Sequence, residues 1–424
     1  MRRRDLLRAA ALFPAAAWLP QVGRPGRLRA DAGAATAPGL PPQPTVDDEA
    51  YWAEVRKQFL VTDGIFMNTG TWGALPLAVL EAIEAHMRAF ETVFHQVPFD
   101  AHALREQLAA LVGAPPETLA FTRNTTEGMN VVARGLDLQP GDEILLTTQE
   151  HVGGRCCWEL VAARHRLGLR QFPPPVPAPS EDALFEAWAS AVGPRTRVLS
   201  ISHVFFSTGA IQPVQRLCAW ARERGIITVV DGAHPPGMLA LDITSLGCDF
   251  YASSPHKWLL APKGSGFLYI SPAWIDRLWP LVASGGWDDL ALKGDRFDHV
   301  GTRNDSLLVG FQASIAFHDA IGTERIEKRC RGLATRLDAG LRAQPGVTVV
   351  SPSAPEVRSA MVSFLVRGVT GQEVVSRLWK MGPVRVRHIG EFDLDYVRLS
   401  THIYNNPTEV DEVVAMVGEI AAGR

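Results

Sequence analysis

A lysine at position 257 stands in the run Ser253-Ser254-Pro255-His256-Lys257-Trp258, directly after an apolar stretch and ahead of the glycine-rich Pro262-Lys263-Gly264-Ser265-Gly266. An amine at the carboxyl end of a strand, hemmed in by a tryptophan and apolar neighbours, can have its pKa lowered and form a Schiff base. Taken alone, it reads more simply as a solvated loop lysine. The chemistry sharpens at Val229-Val230-Asp231-Gly232-Ala233-His234, where an acid ends the preceding strand 26 residues upstream. Pyridoxal 5'-phosphate (PLP) works as an electron sink only while its pyridine nitrogen stays protonated, which a buried carboxylate beside it ensures. An acid at a strand tip is otherwise often a helix cap. Lysine and acid at the carboxyl ends of successive strands are what a PLP site requires.

Such a site also needs a phosphate cup. Thr122-Arg123-Asn124-Thr125-Thr126-Glu127-Gly128 offers a strand end, two hydroxyls and a helix start. Unpaired amide hydrogens and the positive helix end favour an anion there, although Thr-x-x-Gly is also an ordinary helix start. Glu150-His151 follows a further strand, and its imidazole either stacks on a cofactor ring or is a surface histidine.

The elements that must position these residues alternate. Periodicity predicts helices over Pro76 to Phe94, Ala101 to Val112, from Thr125, and over Val214 to Arg224. Strands are predicted at Leu119 to Thr122, Glu143 to Thr147, Val198 to Ser202, Ile226 to Asp231, Asp249 to Ser253 and Gly266 to Ile270. Alternation of this kind implies an α/β fold with a mostly parallel sheet covered on both faces, its ligands beyond the carboxyl ends of the strands. After about Asn304 the pattern changes to two long helices (Leu307 to Ile321, Ile326 to Ala343). Short strands follow at Val347 to Val350, Ala360 to Val366 and Tyr396 to Ser400, with a last helix after Asn406-Pro407-Thr408. This reads as a smaller α+β domain.

The chain has 424 residues, 46% hydrophobic and 21% charged, which excludes disordered and fibrous classes and leaves room for two or three domains. The net charge is -3, but beyond residue 32 there are 35 basic and 43 acidic side chains. A mildly acidic body argues against a nucleic-acid partner. No stretch reaches the roughly 18 apolar residues of a membrane helix, so no membrane integration is expected. Arg2-Arg3-Arg4-Asp5-Leu6-Leu7, the apolar run Ala9 to Leu19 and the small residues Ala30-Asp31-Ala32 read instead as a twin-arginine-type export signal. A disordered basic N-terminus is the alternative. Five cysteines, with no CxxC or Cys/His metal spacing, predict neither a zinc site nor a disulfide framework.

In this order, Arg123-Asn124-Thr125-Thr126-Glu127-Gly128-Met129-Asn130, Glu150-His151 with Trp158, Asp231-Gly232-Ala233-His234, Ser254-Pro255-His256-Lys257, Gly301-Thr302-Arg303 and Val397-Arg398-Leu399-Ser400 resemble the class V aminotransferases. That group contains cysteine desulfurases and isopenicillin N epimerases, and the resemblance runs from about Asn68 to the C-terminus. It implies the aspartate-aminotransferase-like fold, with a mostly parallel seven-stranded sheet in the large domain and a smaller α+β C-terminal domain. It also implies PLP as cofactor and a homodimer with shared active sites. By the same resemblance, Lys257 is the Schiff-base lysine and proton carrier, Asp231 the pyridinium partner, His234 the contact to the ring hydroxyl and His151 the stacking residue. Thr125, Thr126, Ser254 and His256 are implied phosphate ligands, with Thr302 reaching the phosphate of the other subunit. Arg398 matches the arginine that holds a substrate carboxylate, and Asn68-Thr69-Gly70-Thr71-Trp72-Gly73 resembles the segment lining the substrate entrance in the isopenicillin N epimerase-like branch, to which the resemblance points.

Two departures narrow the reading. Desulfurases carry a nucleophilic cysteine shortly after the arginine that Arg387 matches, and Arg387 to Arg398 contains none. Phe206 stands where desulfurases carry an asparagine near the cofactor. The boundaries expected are a signal over 1–32, a linker over 33–46, an N-terminal segment over 47–75, a large PLP-binding domain over 76–304 and a small domain over 305–424. The whole is similar to periplasmic, twin-arginine-exported PLP enzymes of pyoverdine siderophore maturation. The expected activity is therefore on the amino group or Cα of an amino acid, or of a residue in a small peptide, by transamination or related chemistry including epimerisation. The alternatives are a PLP-dependent C–S lyase on cystine-like substrates and a catalytically silent periplasmic binding protein.

Overall fold

The computed structural model describes residues 48–61, 63–92, 97 and 99–424, all within one compact unit. The expected signal and linker lie outside the described residues. In chain order the elements are α1 (Glu49–Arg56), β1 (Ile65–Phe66), α2 (Leu77–Thr92), α3 (Ala101–Val112), β2 (Leu119–Thr122), α4 (Thr125–Gly135), β3 (Glu143–Thr147), α5 (Val152–His165), β4 (Gly168–Phe172), α6 (Glu181–Ala191), β5 (Thr196–Ser202), α7 (Val214–Arg222), β6 (Ile227–Asp231), α8 (Ile243–Leu246), β7 (Phe250–Ser253) and β8 (Gly266–Ile270). The C-terminal part supplies α9 (Ser306–Ile321), α10 (Thr323–Arg342), β9 (Val347–Val349), β10 (Met361–Val366), α11 (Gly371–Met381), β11 (Val384–Arg385), β12 (Arg387–Ile389), β13 (Tyr396–Ser400) and α12 (Pro407–Ala421).

Among the described residues, seven strands form the main sheet in the order β2-β8-β7-β6-β5-β3-β4, with β8 running against the others. Side chains alternate across a strand, so Leu145 enters the core beneath α3, α7 and α9 while Ile144 and Leu146 enter the core beneath α4 and α5. Both faces are thereby covered, as parallel strands require. Ser202 lies opposite Asp231 and Asp231 opposite Ala252, so the carboxyl ends of β5, β6 and β7 share one edge.

The second sheet, β12-β13-β10-β9, is antiparallel and closes its own core with α10, α11 and α12. Two segments cross between the layers. Strand β1 pairs with β11, and Asn68 bridges to Ser400, tying the N-terminal segment to the smaller sheet. Helix α9, expected with the small domain, buries Leu308, Phe311 and Ile315 in the main-sheet core instead, because its apolar surface matches the layer that holds α3. No helix among the described residues is long and apolar enough to cross a membrane.

Candidate active site

Strand β6 ends on Asp231, which is 7% exposed, and its Oδ1 accepts a hydrogen bond from the Ala233 amide at 3.0 Å. Strand β7 ends four residues before Lys257. Burial pushes the Lys257 amine down to about 7; the Asp231 charge works against this, and Arg398 and Arg387 add to it. The Asp231 carboxyl is pushed up by its own burial and held back by Lys257. An uncharged amine is the nucleophilic form, so the site supplies at neutral pH what an ordinary lysine does not. Helix α5 comes close to Asp231 because residue 154 is glycine: a Cβ there would stand 2.6 Å from Asp231 Oδ2.

The cup predicted at Thr122 to Gly128 forms at the start of α4. Asn124 caps the helix, its Oδ1 accepting from the Glu127 amide at 2.9 Å. The Thr125 amide donates to Ser254 Oγ at 2.9 Å, and the two hydroxyls lie 2.8 Å apart, which locks the cup to the turn that carries Lys257. His256 follows on that turn with a buried Nδ1 that has no hydrogen-bond partner among the described residues. Together Thr125, Thr126, Ser254, His256, Lys257, Asp231 and His151 line one cleft of about 220 Å³.

His151 caps α5, its Nδ1 accepting from the Gly153 amide at 3.1 Å, and its ring stands edge-on to Phe206 at 5.0 Å. Burial, aided by Lys257, holds it neutral, with a pKa down to about 3. His234 is 3% exposed and does not itself line the cleft, but its Nε2 lies 3.4 Å from the Nζ of Lys257, which does. Glu150 was given no role of its own by the sequence. It proves to be a buried carboxyl that accepts from Thr147 Oγ1 at 2.7 Å and Ser202 Oγ at 2.5 Å, and burial pushes it up to about 7.

The substrate-side residues divide. Arg387 lines the cleft, paired with Glu391. Arg398 is fully buried behind it and donates to the Phe206 carbonyl at 2.8 Å and Thr71 Oγ1 at 3.0 Å. Asn68 does not line the cleft; its Oδ1 accepts from Thr71 Oγ1 at 2.7 Å, while Gly70 and Thr71 do line it. Thr302 is exposed and borders a separate surface groove with Arg303 and Asn304, away from this cleft. Gly70 and Thr71 belong to the segment that the sequence placed at the substrate entrance, whereas the lining residue Gly153 was missed, since a glycine carries no chemical signal of its own.

The residues present fit PLP. Lys257 offers the amine for its aldehyde and Asp231 the carboxylate for its ring nitrogen. The α4 N-terminus with Thr125, Thr126, Ser254 and the unpartnered His256 Nδ1 offers donors for its phosphate. Fold and site together define a PLP-dependent enzyme. The chain belongs to the class V aminotransferase family, whose sequence model, described as "Aminotransferase class-V", matches residues 74–413. It is 37% identical over 396 residues to isopenicillin N epimerase of Streptomyces clavuligerus, covering 87% of this chain and 99% of that protein. It is 30% identical to "Probable cysteine desulfurase 2" of Mycobacterium leprae, covering 83% and 90%. Among solved structures it is similar to C-DES with glycine covalently linked to its PLP cofactor, with TM-score 0.77, 29% identity and coverage of 86% and 99%. It is likewise similar to the complex of that cystine C-S lyase with its product cysteine persulfide, with TM-score 0.76, 30% identity and coverage of 85% and 98%.

Proposed function

We propose that this PLP-dependent enzyme acts at the amino group and Cα of an amino acid, or of a residue in a small peptide such as a siderophore precursor, by transamination or related Cα chemistry, epimerisation included. The observation that carries the reading is that Lys257 and Arg387 line the same cleft, an exchangeable amine and a carboxylate-binding guanidinium within one small space. When bound, PLP supplies an electron sink for the pair left by a broken Cα bond. Lys257 holds the cofactor and, once released, accepts or returns the Cα proton at Nζ. Asp231 keeps a negative charge at the ring nitrogen. The cup at α4 fixes the phosphate end, and Arg387, with Arg398 bracing the wall behind it, orients the substrate carboxylate. The epimerase relative at 37% identity supports Cα chemistry. We infer further that persulfide transfer is not its reaction, since residues Arg387 to Arg398 include no cysteine and the exposed Cys156 lies on α5.

Holoenzyme incubated in D2O with a panel of amino acids and short peptides should place deuterium at Cα, accompanied by inversion or by an oxo product, read by mass spectrometry and chiral chromatography. The likeness to C-DES favours a second reading, C–S bond cleavage. Pyruvate released from cystine, with no Cα exchange on any sulfur-free substrate, would establish it and sink the first.

Two further parts of the proposal concern setting. Export of the folded, PLP-loaded chain by the twin-arginine route rests on Arg2 to Leu7; Arg3→Lys with Arg4→Lys should strand the protein in the cytoplasm, and unchanged periplasmic recovery would refute it. A homodimer in which Thr302 completes the partner's cleft is supported by the exposed Met87, Phe90 and Val300 in the same region. Light scattering should give twice the chain mass, and a monomeric active enzyme would exclude it.

A further inference from the structure

The residue after the lysine carries a contact that neither the family match nor the proposed reaction uses. Trp258 is fully buried, and its indole Nε1 donates to His234 Nδ1 at 3.1 Å. An indole N–H can only donate, so the nitrogen it meets must offer a lone pair. A neutral imidazole has one protonated and one unprotonated nitrogen. The Trp258 contact therefore puts the His234 proton on Nε2, the nitrogen 3.4 Å from Lys257 Nζ. His234 is held neutral by burial first and then by the positive groups facing it, Lys257, Arg398 and Arg387, with His151 beside them.

We propose that Trp258 is a positioning residue: it fixes His234 in the Nε2–H form, so that the imidazole presents a donor, not an acceptor, to Lys257 and to the PLP that Lys257 carries. With the opposite tautomer, two N–H groups would meet head-on between Trp258 and His234, leaving a buried donor unpaired. The Nε2 lone pair would then face the lysine and favour its protonated form. The donor stands at the point where the cofactor attaches, and the ring oxygen of PLP neighbours its aldehyde carbon, so an N–H there stabilises negative charge on that oxygen. Phe206, whose ring is edge-on to His151, offers no polar side-chain atom for that purpose.

Trp258 is itself held from the smaller-sheet side of the molecule. Its carbonyl accepts from His402 Nε2 at 3.0 Å, its ring lies 5.7 Å from the His402 ring, and that ring stacks on Tyr404 at 5.2 Å. The tautomer is thus set by a rigid aromatic column and not by solvent.

The test is a pH titration of the absorption band of the lysine-bound cofactor in holoenzyme, comparing the parent with Trp258→Phe, His234→Phe and the double variant. Losing the donor makes the ring oxygen more basic, so the proton it shares with the Lys257 nitrogen is held more tightly. The midpoint should rise in Trp258→Phe by about half a pH unit or more, roughly a threefold change in proton affinity. His234→Phe should raise it at least as far, and the double variant no further than His234→Phe alone, because Trp258 acts through His234. An unchanged midpoint in Trp258→Phe, or shifts that add, would overturn the proposal. Should Trp258→Phe fail to fold, nitrogen NMR of 15N-histidine parent holoenzyme decides, with the His234 signal assigned by its loss in His234→Phe: an unprotonated Nδ1 supports the proposal and an Nδ1–H tautomer refutes it.

Discussion

Arg387 on β12 and Arg398 on β13 are directly opposed in the antiparallel register of the smaller sheet, yet they meet different surroundings. Like charges opposite one another weaken a strand pair. Here the cost is offset on one side by Glu391, which pairs with Arg387, and on the other by the Phe206 carbonyl and Thr71, which hold Arg398. Burial, with Arg387 adding to it, pulls the Arg398 pKa down to about 9. A pair so arranged separates two tasks. Arg387 can release Glu391 and take a substrate carboxylate, while Arg398 keeps the Thr71 segment in place.

This division predicts different phenotypes. Arg387→Ala should raise KM about thirtyfold, the loss of roughly 2 kcal/mol expected of a charge-assisted carboxylate contact, with the cofactor band and melting temperature unchanged. Arg398→Ala should lower the melting temperature, since it leaves buried acceptors unpaired at about 1 to 3 kcal/mol. Steady-state kinetics and thermal melts on both variants decide; a raised KM with unchanged stability in Arg398→Ala would return the anchoring role to that residue.

Which arginine faces the cleft was not legible in the sequence, because the answer depends on Thr71, 327 residues away. Lys257, Asp231 and the α4 cup were legible because each is tied to the end of an apolar strand, and strands such as Glu143–Thr147 and Gly266–Ile270 fall where patterning puts them. Strand β4 (GLRQF) passed unnoticed since it is an edge strand with partly exposed side chains and no alternation to betray it. Helix α5 was hidden by its Val152-Gly153-Gly154 start of poor helix formers, where Gly153 allows close approach to Thr126 and Gly154 to Asp231.

Gly154→Ala should be felt at the cofactor through that approach. The added methyl would sit 2.6 Å from Asp231 Oδ2, so the carboxylate that would hold the pyridine nitrogen would have to shift from its place. We expect turnover to fall by about a hundredfold, comparable to removing a preorganised electrostatic partner, and Asp231→Asn to fall at least as far while still binding PLP. Full activity in Gly154→Ala would show that Asp231 has room to shift without consequence.

The amine of Lys257 makes a pH prediction for cofactor capture by apoprotein. The reactive form is neutral, and burial brings its pKa down to about 7 from the ordinary lysine value of 10.5. The capture rate should therefore climb through pH 7 and level off above about pH 8, whereas an ordinary lysine would keep gaining to beyond pH 10. Stopped-flow absorbance against pH measures this directly, and a rate still rising tenfold per unit at pH 9 would place the amine in water.

Glu150 makes the last prediction, and its sign follows from its neighbours. Its carboxyl is raised to about 7 from 4.5, by burial first and by the nearby Asp231 charge as well, against the two hydroxyls that donate to it. A carboxyl whose folded pKa exceeds its unfolded value holds the proton more tightly in the native state. Its stabilising effect is thus fully present below about pH 4.5 and is lost as pH rises through 7. Glu150→Gln removes the titration while keeping a polar group against Thr147 and Ser202. The variant should then lose less stability than the parent between pH 5 and pH 8, so the melting-temperature difference between the two should move in its favour across that interval. The same variant tests whether the acid matters beyond stability. Thr147 ends β3, Ser202 ends β5 and lies opposite Asp231 in register, so Glu150 ties together the strand ends on which the pyridine partner rests. If parallel melting curves at every pH accompany an unaltered kcat, Glu150 is neither a buried titrating group nor a support for Asp231, and the carboxyl must be solvated in solution.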